Sequence, residues 1–336
     1  MTNTSESQMQ FIHTETFAAH MLELHSKGHL QGNLRGNQSM KVMVLGASGM
    51  LGHLLTTYLE EGGHDVVAVS RRGTFGRVPI AVDLEDWTEL ESQIEIHKPI
   101  WIVNAAGLLN DEVDNFTASA ILINVYLPRK LAETGTGLGF RLITIGSDCV
   151  FEGDRGHYSV TDKPDAVSSY GKTKHLGEVV SDRDLTIRTS IIGPEIDRAG
   201  RGLLQWFMAQ ETEADGWTSA IWTGLTTLEL AKVIEALVSG RLDQTGLWHC
   251  VPDTSINKYE LLQIMNDAFR EEAIDINSVR GLSHDRSLVN DRPNTWRVPS
   301  YAEMMSELRV WVTEHQNFYI DTLFELTENE KTKGIL

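Results

Sequence analysis

One feature constrains this chain more than any other: an apolar run that ends in a glycine-rich turn and passes straight into a helical pattern. Val42-Met43-Val44-Leu45 reads as a strand buried on both faces. Gly46-Ala47-Ser48-Gly49-Met50-Leu51-Gly52 follows as a G-x-x-G-x-x-G run. Leu51, Leu54, Leu55 and Leu59 then fall at helical spacing, closed by Gly62-Gly63. Glycine at such a turn removes the Cβ and lets the backbone approach a pyrophosphate. The helix N-terminus adds unpaired N–H donors and a positive dipole end. The run therefore points to a dinucleotide site lined by Gly46, Ser48, Gly49, Met50, Leu51 and Gly52; a tight turn without a ligand is the plain alternative.

The same grammar repeats. Val66–Val69, Ile100–Val103, Leu142–Ile145 and Leu185–Ile187 are short apolar runs separated by helix-like segments. Strands alternating with helices predict an α/β, Rossmann-type doubly wound parallel sheet with a smaller C-terminal mixed lobe. Within 336 residues we expect a loosely ordered extension over 1–39, a dinucleotide-binding domain over 40–195, and a substrate-binding lobe over 196–336 interleaved with the sheet domain. Leu225–Val238, Lys258–Ala268 and Tyr301–Val312 read as helices of that lobe, the first two amphipathic.

Composition closes off other classes. The formal net charge of −18 repels phosphodiester backbones, which argues against a nucleic-acid partner. No apolar run reaches the roughly 20 residues that cross a bilayer. The two cysteines, Cys149 and Cys250, lie far apart, so neither a disulfide framework nor a structural zinc site organises the fold. His13, His20, His25 and His29 invite a metal reading, but Gly28 weakens the one helical pair and no further ligand completes a set. No metal is expected, and the expected compartment is the reducing cytoplasm.

The end of the second strand discriminates between cofactors. An acid there would bind adenosine ribose hydroxyls, whereas arginine suits a 2′-phosphate. Arg71 and Arg72 stand at that point and favour NADP(H), with NAD(H) the alternative. Asp83-Leu84 is placed to meet the adenine. Asn104-Ala105-Ala106-Gly107 ends another strand on the same ligand-binding edge.

Tyr170 and Lys174 form a Y-x-x-x-K pair, and on a helix this spacing puts both on one face. An ammonium beside a phenol favours the phenolate and lowers its pKa, so Tyr170 reads as a general acid toward a carbonyl oxygen. Ser147 lies just beyond a buried strand, where it would polarise that carbonyl. Asn124 sits in a helix-like segment where it would hold a water linking Lys174 to solvent. Taken singly, each of these residues has a plain reading as a strand-end or helix-surface residue.

Together, Gly46–Gly52, Asn104–Gly107, Ser147–Gly153, Tyr170–Lys174 with Gly177-Glu178, and Arg188-Thr189-Ser190 resemble the extended short-chain dehydrogenase/reductase family. Within it they are most similar to the dTDP-4-dehydrorhamnose reductases and related sugar-nucleotide reductases. The resemblance implies a catalytic set of Ser147, Tyr170 and Lys174 and reduction of a nucleotide-activated 4-keto deoxysugar by NADPH. Cys149 stands where relatives often carry Tyr, and Arg292-Pro293 keeps only half of a C-terminal family motif. A nucleotide diphosphate needs local cations, so Arg201, Arg286 and Arg292 are clamp candidates, Cys149 a substrate contact, and Trp206 and Trp222 candidates for stacking on a base. A redox-neutral epimerase or dehydratase holding NAD is the first alternative. A non-catalytic relative of the methionine adenosyltransferase regulatory subunit is the second. The partner expected is a nucleotide-diphosphate sugar, and a homodimer stays open.

Overall fold

The computed structural model describes residues 39–324, apart from 198–199 and 271–273. The four histidines near the N-terminus, and all of the expected extension except Ser39, lie outside the described residues.

Seven parallel strands form the central sheet: β1 (Lys41–Leu45), β2 (Asp65–Ser70), β3 (Val78–Ala81), β4 (Trp101–Asn104), β5 (Arg141–Ile145), β6 (Leu185–Arg188) and β7 (Gly246–His249). Their spatial order is β7-β6-β5-β4-β1-β2-β3. The order reverses between β1 and β4, the switch point at which open parallel sheets take ligands in a crevice at the carboxyl ends of the strands.

Side-chain alternation explains why both faces must be covered. Val42 and Val44 point to one face, into a core with Leu54, Leu55, Ile143, Leu230 and Trp248. Met43 and Leu45 point to the other, into a core with Val67, Leu90, Ile102, Leu131 and Leu142. Helix α1 (Met50–Glu61) covers the first face, while α2 (Trp87–His97) and α3 (Leu127–Leu138) cover the second. Helix α4 (Ser169–Leu176) connects β5 toward β6.

Beyond residue 195 the chain both returns to the sheet and leaves it. β7 pairs with β6, Leu247 against Thr186 and Trp248 against Ile187. Four residues are too few to show periodicity, so this strand was not legible as one. Helix α5 (Thr227–Val238) begins two residues later than its pattern suggests, because Leu225 and Thr226 pair with Ile191 and Ile192 and Thr226 caps the helix through its hydroxyl. It is not amphipathic in place: every residue but Lys232 is buried, since α1 and α7 (Tyr301–Glu314) both pack on it. The first core cluster thus runs across position 195 without a break. Outside the main sheet, Ala220–Trp222 is the middle strand of a small three-stranded sheet, antiparallel to Ile256–Asn257 and parallel to His284–Asp285. Helix α6 (Lys258–Phe269) starts where Ile256–Asn257 ends.

Candidate active site

The strand-to-helix turn has the form its sequence predicts. Gly46 takes φ +79°, a left-handed conformation, and a Cβ there would meet the Ala106 backbone at 2.9 Å. A Cβ on Gly52 would collide with the Gly46 carbonyl oxygen, so α1 can start only against a bare residue. No side chain caps α1 at Gly49, and Ser48 is exposed, so the first-turn N–H groups keep their donors. This is a cradle that fits a dinucleotide pyrophosphate. Ala105 donates to the Leu45 carbonyl and Ala106 to the Asn104 side chain, which holds Asn104–Gly107 against the turn. Arg71 and Arg72 are exposed at the end of β2, and neither guanidinium makes a hydrogen bond or ion pair among the described residues. Asp83 is exposed just past the end of β3, while Leu84 packs into the second core.

Ser147 follows β5 and caps a single 3-10 turn, its hydroxyl accepting from the Cys149 N–H at 3.1 Å. Helix α4 presses against that turn because Gly171 has no Cβ; one would strike the Cys149 carbonyl oxygen. The approach brings Tyr170 to Ser147. Burial raises the Tyr170 phenol well above its usual value, the nearby Cys149 adds to the rise, and a hydrogen bond with Ser147 opposes it. The expectation that Lys174 depresses the phenol is therefore corrected. Lys174 Nζ donates to the Ile145 carbonyl at 2.8 Å, and burial brings its own pKa down to about 8.

Asn124 lies in a six-residue π-helical stretch, Ile121–Tyr126, a distortion frequent at functional sites. Its side chain accepts from Leu108 N–H at 2.9 Å, donates to Leu108 O at 3.0 Å and reaches Thr173 Oγ1 at 3.2 Å. Both ends of the amide are taken by protein groups. Asn124 thereby clips the residue after the Asn104–Gly107 edge to α4.

The substrate candidates separate. Arg286 reaches the site: Nη1 donates to Cys149 Sγ at 3.3 Å, and its Nε is buried with no partner. Cys149 is half-buried, its thiol pushed up to about 12 by burial and by Asp148. Asp148 is buried and its carboxyl is raised by burial, against the pull of Arg286. Arg201 is exposed ahead of the short helix Leu203–Met208, next to Gly202, where a Cβ would meet Met50 of the glycine turn. Two candidates are corrected. Arg292 is consumed at the start of β7, bonding Gln244, Thr245 O and Leu247 O with Asp291 beside it, at the sheet end opposite the crevice. Trp222 is only 5% exposed, covered by Tyr301 and Lys258, and offers no face to a base. Trp206 is 43% exposed and keeps one.

Two further residues complete the picture, Glu178 from the family stations and Lys258, to which the sequence reading gave no role. Glu178 binds the buried Arg188 guanidinium through both carboxylate oxygens, and His249 stands on the other side of that guanidinium. Lys258 opens α6 with its ammonium 4.8 Å from the Trp222 ring centroid. Its signal was a cation at a helix N-terminus, where the dipole disfavours it.

Residues 40–315 match the family model of the RmlD substrate binding domain. A dTDP-4-keto-6-deoxy-D-glucose reductase of Streptomyces niveus is 28% identical over 255 residues, covering 73% of this chain and 83% of the relative. Methionine adenosyltransferase 2 subunit beta of Xenopus tropicalis is 26% identical over 243 residues, covering 68% of this chain and 72% of the relative. Among solved structures, the dTDP-4-dehydrorhamnose reductase of Bacillus anthracis in complex with NADP superposes with a TM-score of 0.69 at 18% identity, over 82% of this chain and all of that one.

Proposed function

The chain belongs to the RmlD substrate binding domain family, a branch of the extended short-chain dehydrogenases/reductases, and on that premise we propose that it is an NADPH-dependent reductase of the 4-keto group of a nucleotide-activated deoxysugar. One observation carries the reading: Ser147, Tyr170 and the anchored Lys174 converge beside a glycine cradle, with the unpaired guanidinium of Arg286 on the same turn.

The cradle of Gly46–Gly52 and Asn104–Gly107 would hold the dinucleotide, with Arg71 and Arg72 at its 2′-phosphate. When bound, the reduced nicotinamide supplies the hydride. The protein supplies the rest. Tyr170 keeps its proton at neutral pH, as a general acid must, and gives it to the keto oxygen. Ser147 donates to the same oxygen and steadies the charge developing on it. Lys174, fixed to Ile145 O, holds the cofactor ribose edge. Residues 196–324 carry the substrate's nucleotide and phosphates, with Arg286 and Trp206 in reach. The NADP complex of the Bacillus anthracis structure and the substrate named for the Streptomyces niveus relative support this choice of cofactor and sugar. The absence of any described helix long and apolar enough to cross a membrane is compatible with cytoplasmic sugar-nucleotide synthesis.

The test is stoichiometric oxidation of NADPH with 4-keto-6-deoxy sugars carried on dTDP, UDP, GDP and CDP. Consumption of NADPH on one of them supports the reading, and redox-neutral conversion of a sugar would point to an epimerase or dehydratase instead. The likeness to methionine adenosyltransferase 2 subunit beta favours one second reading, a non-catalytic subunit. No turnover on any of the four, with stable capture of a methionine adenosyltransferase, would replace the reductase by it.

A further inference from the structure

Lys258 and Arg286 come from distant parts of the chain and are delivered together by the small three-stranded sheet. Lys258 follows directly on Ile256–Asn257, and Arg286 follows directly on His284–Asp285. Both strands pair with Ala220–Trp222 between them: Ile256 opposite Trp222 on one side, Asp285 opposite Ile221 on the other. Arg286 is thereby brought level with Trp222, over whose ring the Lys258 ammonium lies at 4.8 Å.

Neither cation has a contact ion pair among the described residues. Among the described residues, Lys258 makes no hydrogen bond and no ion pair, and Arg286 forms no ion pair and bonds only the Cys149 sulfur. That thiol is held neutral, since burial pushes it up to about 12. Asp148 is the acid whose field both cations feel, and burial raises its carboxyl toward the neutral form. Lys258 is itself strained electrostatically, with burial bringing it down to about 8 and the positive end of α6 beneath it. A protein with a net charge of −18 has carboxylates to spare, yet among the described residues none comes within ion-pair distance of these two half-buried cations, and Asp148 reaches them only through its field. The arrangement lacks an anion.

We propose that Lys258 and Arg286 form the subsite for the diphosphate of the nucleotide-activated substrate, Lys258 as a point charge and Arg286 as a fork, with Trp222 as the wall that aims the ammonium. The assignment rests on the nucleotide-sugar reading above and makes Lys258, absent from every clamp suggested by the sequence, a substrate-binding residue.

The experiment is isothermal titration of NADPH-loaded protein with dTDP, dTMP and thymidine, with UDP, UMP and uridine, and with GDP and CDP. Lys258→Met keeps the alkyl stem over Trp222. It is expected to weaken the diphosphate by about tenfold or more, the monophosphate less, and the nucleoside not at all. NADPH affinity, which the variant should retain, shows that it is folded. Lys258→Arg should recover most of the loss. Equal diphosphate affinity in wild type and Lys258→Met, or an equal loss on the nucleoside, overturns the subsite while leaving the reductase reading standing. If NADPH-loaded wild type binds none of dTDP, UDP, GDP and CDP, the nucleotide-sugar reading falls and the subsite with it.

Discussion

Lys174 Nζ donates to the main-chain carbonyl of Ile145 at 2.8 Å, which ties the charged end of the α4 pair to the end of β5. The Tyr170 phenol is raised chiefly by burial and then by Cys149, with the Ser147 hydrogen bond opposing both.

Replacing Tyr170 by Phe removes the acid and little else. Steady-state turnover on the keto sugar that wild type reduces should fall by about 10²-fold or more, the usual share of a positioned general acid. NADPH affinity, read by fluorescence titration, should stay within about twofold, a shift under half a kcal/mol. Wild-type turnover in this variant would overturn the assignment.

Arg71 and Arg72 make no hydrogen bond or ion pair among the described residues, so removing them costs the fold nothing visible. The double variant Arg71→Ala/Arg72→Ala should weaken NADPH by about tenfold or more, the worth of a charge-assisted hydrogen bond, with NADH affinity unchanged. The ratio of the two dissociation constants is the measurement. An equal loss for both cofactors would place these side chains elsewhere.

Lys174 carries a depressed pKa, about 8 against 10.5 unperturbed, because burial disfavours its charge. Between those two values the unfolded chain binds more protons than the folded one, so this residue makes stability rise with pH across that window. Its cost is present in full below pH 8. Lys174→Met should therefore raise the Tm at pH 7 by a few degrees while lowering NADPH affinity, and the gain should shrink above pH 8. In wild type, NADPH affinity should fall as pH passes about 8 and the ammonium discharges. A Tm that drops at pH 7 would contradict this.

Arg188 and Glu178 are both buried, and the guanidinium meets both carboxylate oxygens, so removing either takes the main partner of the other and leaves only His175 beside Glu178 or His249 beside Arg188. Arg188→Met should cost about 3–5 kcal/mol in urea unfolding. The double variant Arg188→Met/Glu178→Gln should lose clearly less than the two single changes summed, because it strands no charge. Strict additivity would mean the pair is not coupled.

Much of the site was legible because its signals are local. The Gly46 turn, the Ser147 strand end and the four-residue step from Tyr170 to Lys174 are each written within a few positions. The cations were not, and Arg292 shows why. Nothing near it in sequence reveals that the carbonyls of Thr245 and Leu247 wait for it, or that Trp222, read as a stacking surface, is roofed by Tyr301. Asn124 is a similar case, since its partner Leu108 is fixed only once the π-helical stretch meets β4's outgoing loop.

Hydrophobic alternation and chain stiffness act between neighbours, so the parallel sheet, the glycine turn and the Tyr170–Lys174 spacing could all be read along the chain. Charge pairing and desolvation act through space. Only the folded chain could decide that Arg292 is spent on β7, that Lys174 is bound to Ile145, and that Lys258 and Arg286 flank the Ser147–Cys149 turn with no contact ion pair among the described residues.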